Sequence, residues 1–558
     1  MNNLTSLMLN NINSNSDKIY IKTSDEEISY KKFFQSIKSW QNFLILKEIK
    51  KGDRVALISE KSYDQLTAFY AIWSLGGIVV PVNESLGELE TTFILKDSSP
   101  KLVITSDKFL QSVRKITHSA IPFNEFRDHS YKGELISVEV SSDDLAALIY
   151  TSGSTGNPKG VMTTHNNFIT NAASAVDFIG IFSTDSFYSL LPFWHAFALT
   201  VEVVIPMYTG ATVCFAKGQR DFAKNIPVFE PSIILAVPRI LEVIKSNILK
   251  KVSANGKRTE EIFHKAHNFL LSIKEDRRTL KVVSGKIIKN IVFKKIRENF
   301  GVNFRFFISG GAPLDRGLQE FFSNMDVPVT QGYGLSETSP IISVDSPNSV
   351  NLGSVGPILS WMTPEKNGDF TFLDENGKTG KDLEGELLVK GSCVMAGYWN
   401  YSDNTAKTTD DLGWLHTGDV GFLDKDGKLF IKGRKNNMIV LAGGEKVHPE
   451  HVEDLLKKSD YIDDIMVIGE KCKNLYACIT IPEEFQSTCH TTLKRSIQDE
   501  IKIYTKHLAP YQKPKDFLFL PNFTPENGTY TGTMKIRRHV IKELHEKEIK
   551  TLLSSARE

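Results

Sequence analysis

Short apolar runs alternate with a helical pattern near the start of this chain, and this alternation constrains the fold more than any other feature. The apolar runs lie at 55–58, 77–82 and 102–104, and the segment 30–46 has apolar residues at helical spacing. Apolar strands separated by helices of roughly ten to fifteen residues are typical of βαβ units with a parallel sheet. The pattern therefore predicts an α/β fold.

The next apolar run, at 145–149, leads into a stretch whose composition suits a polyphosphate. Positions 151–160 hold three glycines, four hydroxyl residues and one lysine. Glycines let the backbone approach a ligand, hydroxyls add donors, and Lys159 supplies a positive charge. The spacing is not that of the Walker motif, which disfavours a kinase or GTPase site. The alternative is a flexible surface loop, which would not need Pro158-Lys159-Gly160.

The stretch resembles the phosphate-binding signature of the adenylate-forming enzymes, a superfamily of acyl-CoA synthetases, nonribosomal peptide adenylation domains and luciferases. The resemblance implies that the chain binds ATP and transfers AMP to a carboxylate. It also implies that one continuous group of residues contacts the ATP phosphates, namely Thr151, Ser152, Gly153, Ser154, Thr155, Gly156 and Lys159.

Two later motifs resemble the nucleotide site of the same family. The first follows the apolar run 304–308 and contacts the adenine in the family; its residues are Gly310, Gly311 and Ala312. In the second motif the resemblance assigns Tyr333 to stacking on the purine and Glu337 to binding Mg²⁺. Read without the family, these two would be a core aromatic and a surface acid. The second motif also contributes Gln331, Gly332, Gly334 and Ser336, the last at a position where the family usually has threonine.

Further single residues gain a role only through the resemblance. His195, which follows two aromatic residues, would otherwise be read as a core histidine, but in the family such a residue lines the carboxylate end of an acyl pocket. Asp419 matches the acid that binds the ribose hydroxyls, with Arg434 behind it. Lys535 lies in a segment like the one that holds the adenylation lysine. The implied catalytic residues are therefore Lys535, Glu337 and His195, and Glu337 is also the metal ligand.

The texture of the chain changes to short strands and turns between 373 and 439, which indicates a β-rich subdomain. The segment that follows resembles the junction to a mobile domain in the family, with Asn436 at the pivot. We therefore expect an N-terminal AMP-binding domain at 1–435 and a mobile C-terminal domain at 436–558. The expected fold class is α/β, with a large N-terminal domain of βαβ-type subdomains plus a β-rich subdomain, followed by a small α+β domain.

The run 236–242 and the basic segment after it most resemble long-chain acyl-CoA synthetases. This implies activation of a medium- to long-chain fatty acid through acyl-AMP, with ATP and Mg²⁺, and transfer to the thiol of CoA. One alternative is a ligase that loads an acyl carrier protein, or a fatty acyl-AMP ligase. An alternative from another class is a non-catalytic protein that binds lipid or nucleotide.

The composition of the chain limits the cellular locations and the classes of partner that we expect. Lys plus Arg number 67 and Asp plus Glu 66, so no global charge favours nucleic acid. The five cysteines include no Cys-x-x-Cys pair, and residues 1–18 lack the apolar core of a secretory signal. These features predict a cytoplasmic protein, and they leave open whether it is a monomer or a homodimer.

A basic segment at 245–297 stands out from the neutral balance of the chain. It holds eleven Lys and four Arg against three Glu and one Asp, and parts of it have helical periodicity. A basic amphipathic helix can lie on an anionic membrane, which would place the protein at the inner face of a membrane. The alternative is a solvated helical face.

Overall fold

The structure is a computed structural model, and it describes residues 3–127, 133–136, 138–151, 157–215, 222–275, 287–289, 291–362, 368–524, 526–530 and 536–554. Up to residue 215 the elements are, in chain order, α1 Leu4–Ser14, β1 Ile19–Lys22, β2 Glu27–Ser29, α2 Tyr30–Leu46, β3 Arg54–Ile58, α3 Tyr63–Ser74, β4 Ile78–Val82, α4 Glu88–Ser98, β5 Leu102–Thr105, α5 Asp107–Ile116, β6 Ala120–Pro122, α6 Asn124–Arg127, β7 Leu145–Thr151, β8 Lys159–Thr164, α7 His165–Ile179, β9 Ser186–Ser189, α8 Ala196–Ala198, a π-helical turn Leu199–Val204, α9 Ile205–Thr209 and β10 Thr212–Phe215.

The elements that follow are α10 Phe222–Phe229, β11 Ile233–Ala236, α11 Pro238–Ala254, α12 Lys257–Glu275, α13 Lys294–Glu298, β12 Phe306–Ser309, α14 Arg316–Asn324, β13 Val329–Gly334, β14 Ile341–Val344, β15 Asp369–Leu373, β16 Thr379–Gly380, β17 Gly385–Lys390, α15 Ser402–Thr408, β18 Leu415–Leu423, β19 Leu429–Arg434, β20 Ile439–Val440, β21 Lys446–Val447, α16 Pro449–Leu456, β22 Asp464–Ile468, β23 Leu475–Thr480, α17 His490–Tyr504, β24 Pro514–Phe519, α18 Arg538–Leu544 and α19 Glu546–Ser554. Short 3₁₀ turns lie at Ser336–Thr338, Ser360–Met362, Lys435–Asn437, Glu483–Phe485 and Pro510–Gln512.

A six-stranded sheet forms from the first half of the chain, in the order β6-β5-β3-β4-β7-β8. Its strands are parallel except for β8, which pairs antiparallel with β7. The predicted strands at 55–58, 77–82 and 102–104 all lie in this sheet. They are almost fully buried, as parallel strands covered by helices are. The predicted α/β pattern is thus confirmed.

An eight-stranded sheet follows the order β14-β13-β12-β11-β9-β10-β1-β2, with antiparallel pairs only at its two ends. The four neighbouring strands β9, β11, β12 and β13 run parallel, so their carboxyl ends share one edge. A single apolar core joins both large sheets. It contains the fully buried Trp40, Trp73 and Phe168.

The predicted β-rich region is a five-stranded antiparallel sheet of order β16-β15-β17-β18-β19. Its Asp426-Gly427 dipeptide lies in the tight turn between β18 and β19, where Gly427 has a φ of +72°. Beyond it, β22, β23 and β24 form a separate three-stranded sheet that packs with α16 and α17 around a core of its own. The expected large α/β part and small α+β part are both present.

Two local features are not evident from the sequence. Helix α1 lies in the Asn- and Ser-rich segment 1–18, yet it buries Leu7 and Met8 completely, because its few apolar residues fall on one face. Helix α14 begins at Arg316, after Pro313. Asp315 caps that helix by accepting the Leu318 N–H at 2.8 Å, so Pro313 stays in the preceding turn.

Within the ranges given above, we find no helix whose length and hydropathy would let it cross a bilayer.

Candidate active site

A large cleft opens at the edge where the four parallel strands end. The loop after β9 carries His195, β11 leads to Val237, β12 to Gly310, and β13 ends beside Tyr333; all four line the cleft. Its volume is about 2740 Å³. Open α/β sheets bind ligands at such an edge because the loops that follow the strands converge there.

All predicted site residues that the structure describes line this one cleft. They come from segments separated by more than 280 residues, so only the folded chain brings them together. They are Thr151, Lys159, His195, Gly310, Gly311, Ala312, Gln331, Gly332, Tyr333, Gly334, Ser336, Glu337, Asp419 and Arg434.

The remaining predicted residues, Ser152, Gly153, Ser154, Thr155, Gly156 and Lys535, lie outside the described residues. Described residues on either side of these segments line the cleft. Thr151 ends β7 and Lys159 begins β8, and the next described residues after Lys535, Ile536 and Arg537, also line the cleft.

Tyr333, Asp419 and Arg434 form a hydrogen-bonded cluster on one wall. The Tyr333 hydroxyl donates to Asp419 Oδ2 at 2.7 Å, and Arg434 Nε lies 2.7 Å from Asp419 Oδ1. Asp419 and Arg434 are cross-strand partners on β18 and β19, which fixes the geometry of the pair. Burial, together with the Asp419 charge, raises the pKa of Tyr333 well above its usual value, so this hydroxyl remains a donor.

Tyr398 contacts both Glu337 and Lys159 on another wall of the cleft. The Tyr398 hydroxyl donates to Glu337 Oε1 at 2.7 Å, and Lys159 Nζ lies 5.2 Å from the centre of the Tyr398 ring. Burial and the Glu337 charge raise the pKa of Tyr398. The same aromatic residue therefore contacts the predicted metal ligand Glu337 and the predicted phosphate-binding Lys159.

The residues of the cleft fit a magnesium ion that arrives with a nucleotide. Glu337 offers a hard carboxylate oxygen at the cleft wall, and its Oε1 is already oriented by Tyr398. In the part of the chain that the structure describes, no group of three or more His, Cys, Asp or Glu residues could hold a metal by itself. This donor set suits Mg²⁺, which takes one or two carboxylates and completes its shell with water and substrate phosphates.

Two glycines of the predicted motifs lie close to other parts of the chain, and one of them is required by the close approach. A Cβ on Gly334 would stand 1.6 Å from the Pro340 carbonyl oxygen, so no other residue fits without moving the backbone. A Cβ on Gly310 would meet the Phe197 ring at 3.1 Å, whereas one on Gly311 would meet nothing within 4 Å. The turn therefore packs against the aromatic wall at Gly310 and presents an open, flat backbone surface at Gly311.

His195 is fixed by the turn in which it lies. Its Nδ1 accepts the Phe197 N–H at 3.2 Å, and its own backbone N–H donates to the Pro192 carbonyl at 3.2 Å. The carbonyl of His195 accepts from Leu199, the first residue of the π-helical turn. The ring thus stands at the cleft wall on a short, hydrogen-bonded loop.

One group of residues that line the cleft is apolar, and we refer to it as the apolar arm. It includes residues of α7, the π-helical turn, α9 and β14. Its members are Ile179, Phe197, Val201, Ile205, Pro340, Ile341 and Val344. An alkyl chain bound there would gain about 0.8 kcal/mol for each buried CH₂ group.

The sequence does not identify Tyr398 as a site residue. It stands in Gly397-Tyr398-Trp399, where nothing in the local pattern distinguishes it from a core aromatic. Its role depends on the bridge it forms with Val161 of β8, which brings the tyrosine beside Lys159. The hydroxyl was detectable only once this long-range pairing was known.

Residues 9–399 match the AMP-binding enzyme family, and residues 436–557 match the AMP-binding enzyme C-terminal domain. The chain therefore belongs to the AMP-binding enzyme family. The resemblance inferred from its motifs is confirmed.

Two relatives and one solved structure show what the chain is similar to. The long-chain-fatty-acid–CoA ligase FadD15 of Mycobacterium bovis is 28% identical over 554 residues, covering 91% of this chain and 89% of the relative. The chloroplastic long-chain-fatty-acid–[acyl-carrier-protein] ligase AEE15 of Arabidopsis thaliana is 29% identical, covering 76% and 63%. The Bacillus subtilis o-succinylbenzoate CoA synthetase with its acyl-adenylate intermediate has a TM-score of 0.76 at 24% identity, covering 97% and 98%. The last likeness confirms the fold.

Proposed function

We propose that this chain activates a medium- to long-chain fatty acid with ATP and transfers the acyl group to the thiol of CoA. The observation that carries the proposal is the cleft itself. It joins a polar wall of Glu337, Lys159 and the Asp419 cluster to an uncharged apolar arm. A carboxylate at the head of an alkyl chain would lie where the two meet, beside His195.

In the first half-reaction an oxygen of the fatty carboxylate attacks the α-phosphorus of ATP. The bond from that phosphorus to the bridging oxygen of the β-phosphate breaks, and pyrophosphate leaves. Lys159 would hold the outgoing phosphates, Asp419 the ribose, and Lys535 would neutralise charge that develops on the α-phosphate. Bound Mg²⁺, held by Glu337, would supply further neutralisation of the phosphate oxygens.

In the second half-reaction a thiol sulfur attacks the acyl carbon, the carbon–oxygen bond to AMP breaks, and the thiol proton is lost to solvent. We propose that residues 436–558 move as a domain about Asn436 between the two steps. The division at 435/436 is supported by the separate apolar core of the C-terminal sheet. The contacts between the parts include the exposed pairs Arg239–Asp463, at 3.9 Å, and Lys458–Asp315, at 3.5 Å, which such a motion could break at small cost.

The test is pyrophosphate release from the purified protein with ATP, Mg²⁺ and a ladder of fatty acids. Each acid is run with CoA, with a phosphopantetheinylated carrier protein, and with neither. Multiple turnover with CoA supports the proposal, whereas turnover only with the carrier protein would replace it by the acyl carrier protein ligase alternative. No release under any condition would favour the non-catalytic binding protein.

The proposal places the protein in the cytoplasm, since all five cysteines are free. It also includes a peripheral contact between the basic segment and an anionic membrane. Phe263 of α12 is not part of that contact, because its ring packs on Phe293 and Phe321 with ring centres 5.5 and 6.2 Å apart. The contact rests instead on surface lysines such as Lys265 and on exposed Ile262 and Ile291.

Sedimentation with liposomes tests the membrane contact. Binding to anionic vesicles at low salt, its loss at high salt and no binding to neutral vesicles would support it. Failure to sediment with anionic vesicles at low salt would refute it and leave a solvated helical face.

A further inference from the structure

Glu202 is a fully buried carboxylate that the reaction does not use directly. It lies in the π-helical turn Leu199–Val204, and its side chain has 0% exposed surface. Its two oxygens accept three hydrogen bonds from the end of β9 and the start of the loop that carries His195. Oε1 accepts the N–H groups of Leu190 and Leu191 at 3.0 and 3.3 Å, and Oε2 accepts the Ser189 hydroxyl at 2.5 Å.

Lys61, from the loop after β3 of the six-stranded sheet, also belongs to this cluster. It lies between β3 and α3, is 11% exposed, and its Nζ is 3.8 Å from Glu202 Oε2. Its ammonium also donates to the Ser189 carbonyl and, at 3.0 Å, to the Ser189 hydroxyl. Burial lowers the pKa of Lys61 to about 8 and raises that of Glu202, so neither charge is stable here without the other.

The cluster closes the loop that carries His195. The segment from Leu190 to His195 leaves the end of β9, and the chain returns through α8 into the turn that holds Glu202. One carboxylate therefore ties the start of the loop to the element that follows it. Phe193, inside the loop, also lies 5.8 Å from the Lys61 ammonium, measured to the ring centre.

A π-helical turn has i→i+5 backbone hydrogen bonds in place of the regular α-helical ones, which changes the direction of its side chains. Such turns are frequent at functional sites. Here the irregularity directs Glu202 to the end of β9. An apolar residue would pack in this interior at a lower desolvation cost than a carboxylate, so stability alone gives little reason for the charge. The carboxylate instead fixes the position of one short segment, because it accepts three directed hydrogen bonds from it.

We propose that Glu202, with Lys61 as its counter-ion, is a positioning residue that holds His195 at the junction of the polar wall and the apolar arm. This inference rests on the proposed function, in which His195 orients the fatty carboxylate. Loss of the Glu202 acceptor frees the loop and misplaces the carboxylate, while the nucleotide wall around Asp419 keeps its structure.

The experiment compares Glu202→Leu, Glu202→Gln and Tyr70→Phe with the unmutated full chain. Glutamine can still accept the two N–H groups through its oxygen and donate to Ser189, whereas leucine keeps the volume but accepts nothing. Tyr70→Phe is the matched control, because the Tyr70 hydroxyl donates to the Val203 carbonyl of the same turn at 3.0 Å without touching the start of the loop.

The readouts are fatty-acid-dependent pyrophosphate release, ATP affinity by calorimetry, and the melting temperature. For Glu202→Leu we expect kcat/KM for the fatty acid to fall about 10²-fold, the scale of a displaced positioning group. ATP affinity should stay the same, Glu202→Gln should restore most of the lost activity, and Tyr70→Phe should lower only the melting temperature.

Lys61→Met carries the test if Glu202→Leu does not fold. That variant leaves Glu202 buried without its counter-ion, and the double variant Lys61→Met/Glu202→Gln should recover activity that the single lysine variant loses. Wild-type kcat/KM in a folded Glu202→Leu or Lys61→Met protein would overturn the positioning role. Absence of pyrophosphate release by the unmutated chain would instead overturn the proposed function, and this role with it.

Discussion

At the scale of single residues, Tyr398 links two charged side chains that lie far apart in the sequence. Its hydroxyl orients Glu337 while its ring lies against Lys159. A tyrosine whose pKa is raised stays protonated at neutral pH and can only donate to the carboxylate. In this arrangement one Glu337 oxygen is engaged with protein, and the carboxylate is held in a fixed direction for a metal ion.

Tyr398→Phe removes the donor and keeps the ring. We expect the Mg²⁺ concentration for half-maximal pyrophosphate release to rise roughly tenfold, the lower end of the effect of losing a residue that orients a metal ligand. Tyr401→Phe, the same chemical change three residues later, is the control and should leave the Mg²⁺ dependence as in the wild type. An unchanged Mg²⁺ dependence in Tyr398→Phe would contradict the orienting role.

Lys535→Ala tests the adenylation lysine, which lies outside the described residues. The expected loss in the first half-reaction is ~10²–10³-fold, as for the removal of one preorganised electrostatic contact. Thioester formation from supplied acyl-AMP should persist, because the proposed motion about Asn436 removes Lys535 from the cleft before that step. An equal loss in both half-reactions would rule out separate conformations for the two steps.

At the scale of elements, α1 depends on a histidine of α7. The Leu4 N–H donates to His165 Nδ1 at 3.3 Å, and the ring has 0% exposed surface. Burial lowers the pKa of His165 to about 4, so the ring is neutral in the folded protein and its Nδ1 can accept. Protonation would turn that acceptor into a donor facing the end of the helix.

This arrangement predicts a loss of stability in mild acid. His165 is protonated near pH 6.5 in the unfolded chain but only near pH 4 in the folded one, so the unfolded state binds the extra proton in between. Its contribution is complete above pH 6.5 and falls by roughly 3 kcal/mol as the pH drops to 4. Melting curves of His165→Gln should depend less on pH over this range. The exposed His118→Gln is the control, and an unaltered pH dependence in His165→Gln would contradict the prediction.

Elements with strong local patterns were predicted closely from the sequence. Helix α2 spans the predicted 30–46, and strands β3, β4 and β5 lie within one residue of the predicted runs. Elements with weak local patterns were not predicted from the sequence. Helix α1 is rich in Asn and Ser and has little intrinsic preference for a helix, so its contacts with the rest of the fold decide its structure.

At the scale of the whole molecule, the chain combines a large part that holds most of the cleft with a smaller part that has its own core. The ion pairs between them include Arg239–Asp463, Lys458–Asp315 and Lys446–Glu375. Such partly exposed pairs contribute little, since the median is about 0–1 kcal/mol. The large part should therefore keep its structure without the small one.

A chain ended after residue 435 tests this division. We expect cooperative thermal unfolding and ATP affinity near that of the full chain, because the Tyr333–Asp419–Arg434 cluster remains complete. Pyrophosphate release should be lost, because Lys535 is absent. Circular dichroism and calorimetry give the first two quantities, and failure of the shortened chain to fold would contradict the proposed boundary.

By itself, the sequence determined the family and the α/β class, and it predicted fourteen of the residues that line the cleft. Glycine-rich turns, strand-like apolar runs and charged residues at fixed spacing are local signals, so they can be read without knowing the fold. Only the tertiary structure decided which side chains support that cleft. The Tyr398–Glu337 bond, the Glu202–Lys61 pair and the His165–Leu4 contact each join segments that are distant or unremarkable in sequence. Their energies depend on burial and on directed hydrogen bonds, which exist only after long-range packing has excluded water.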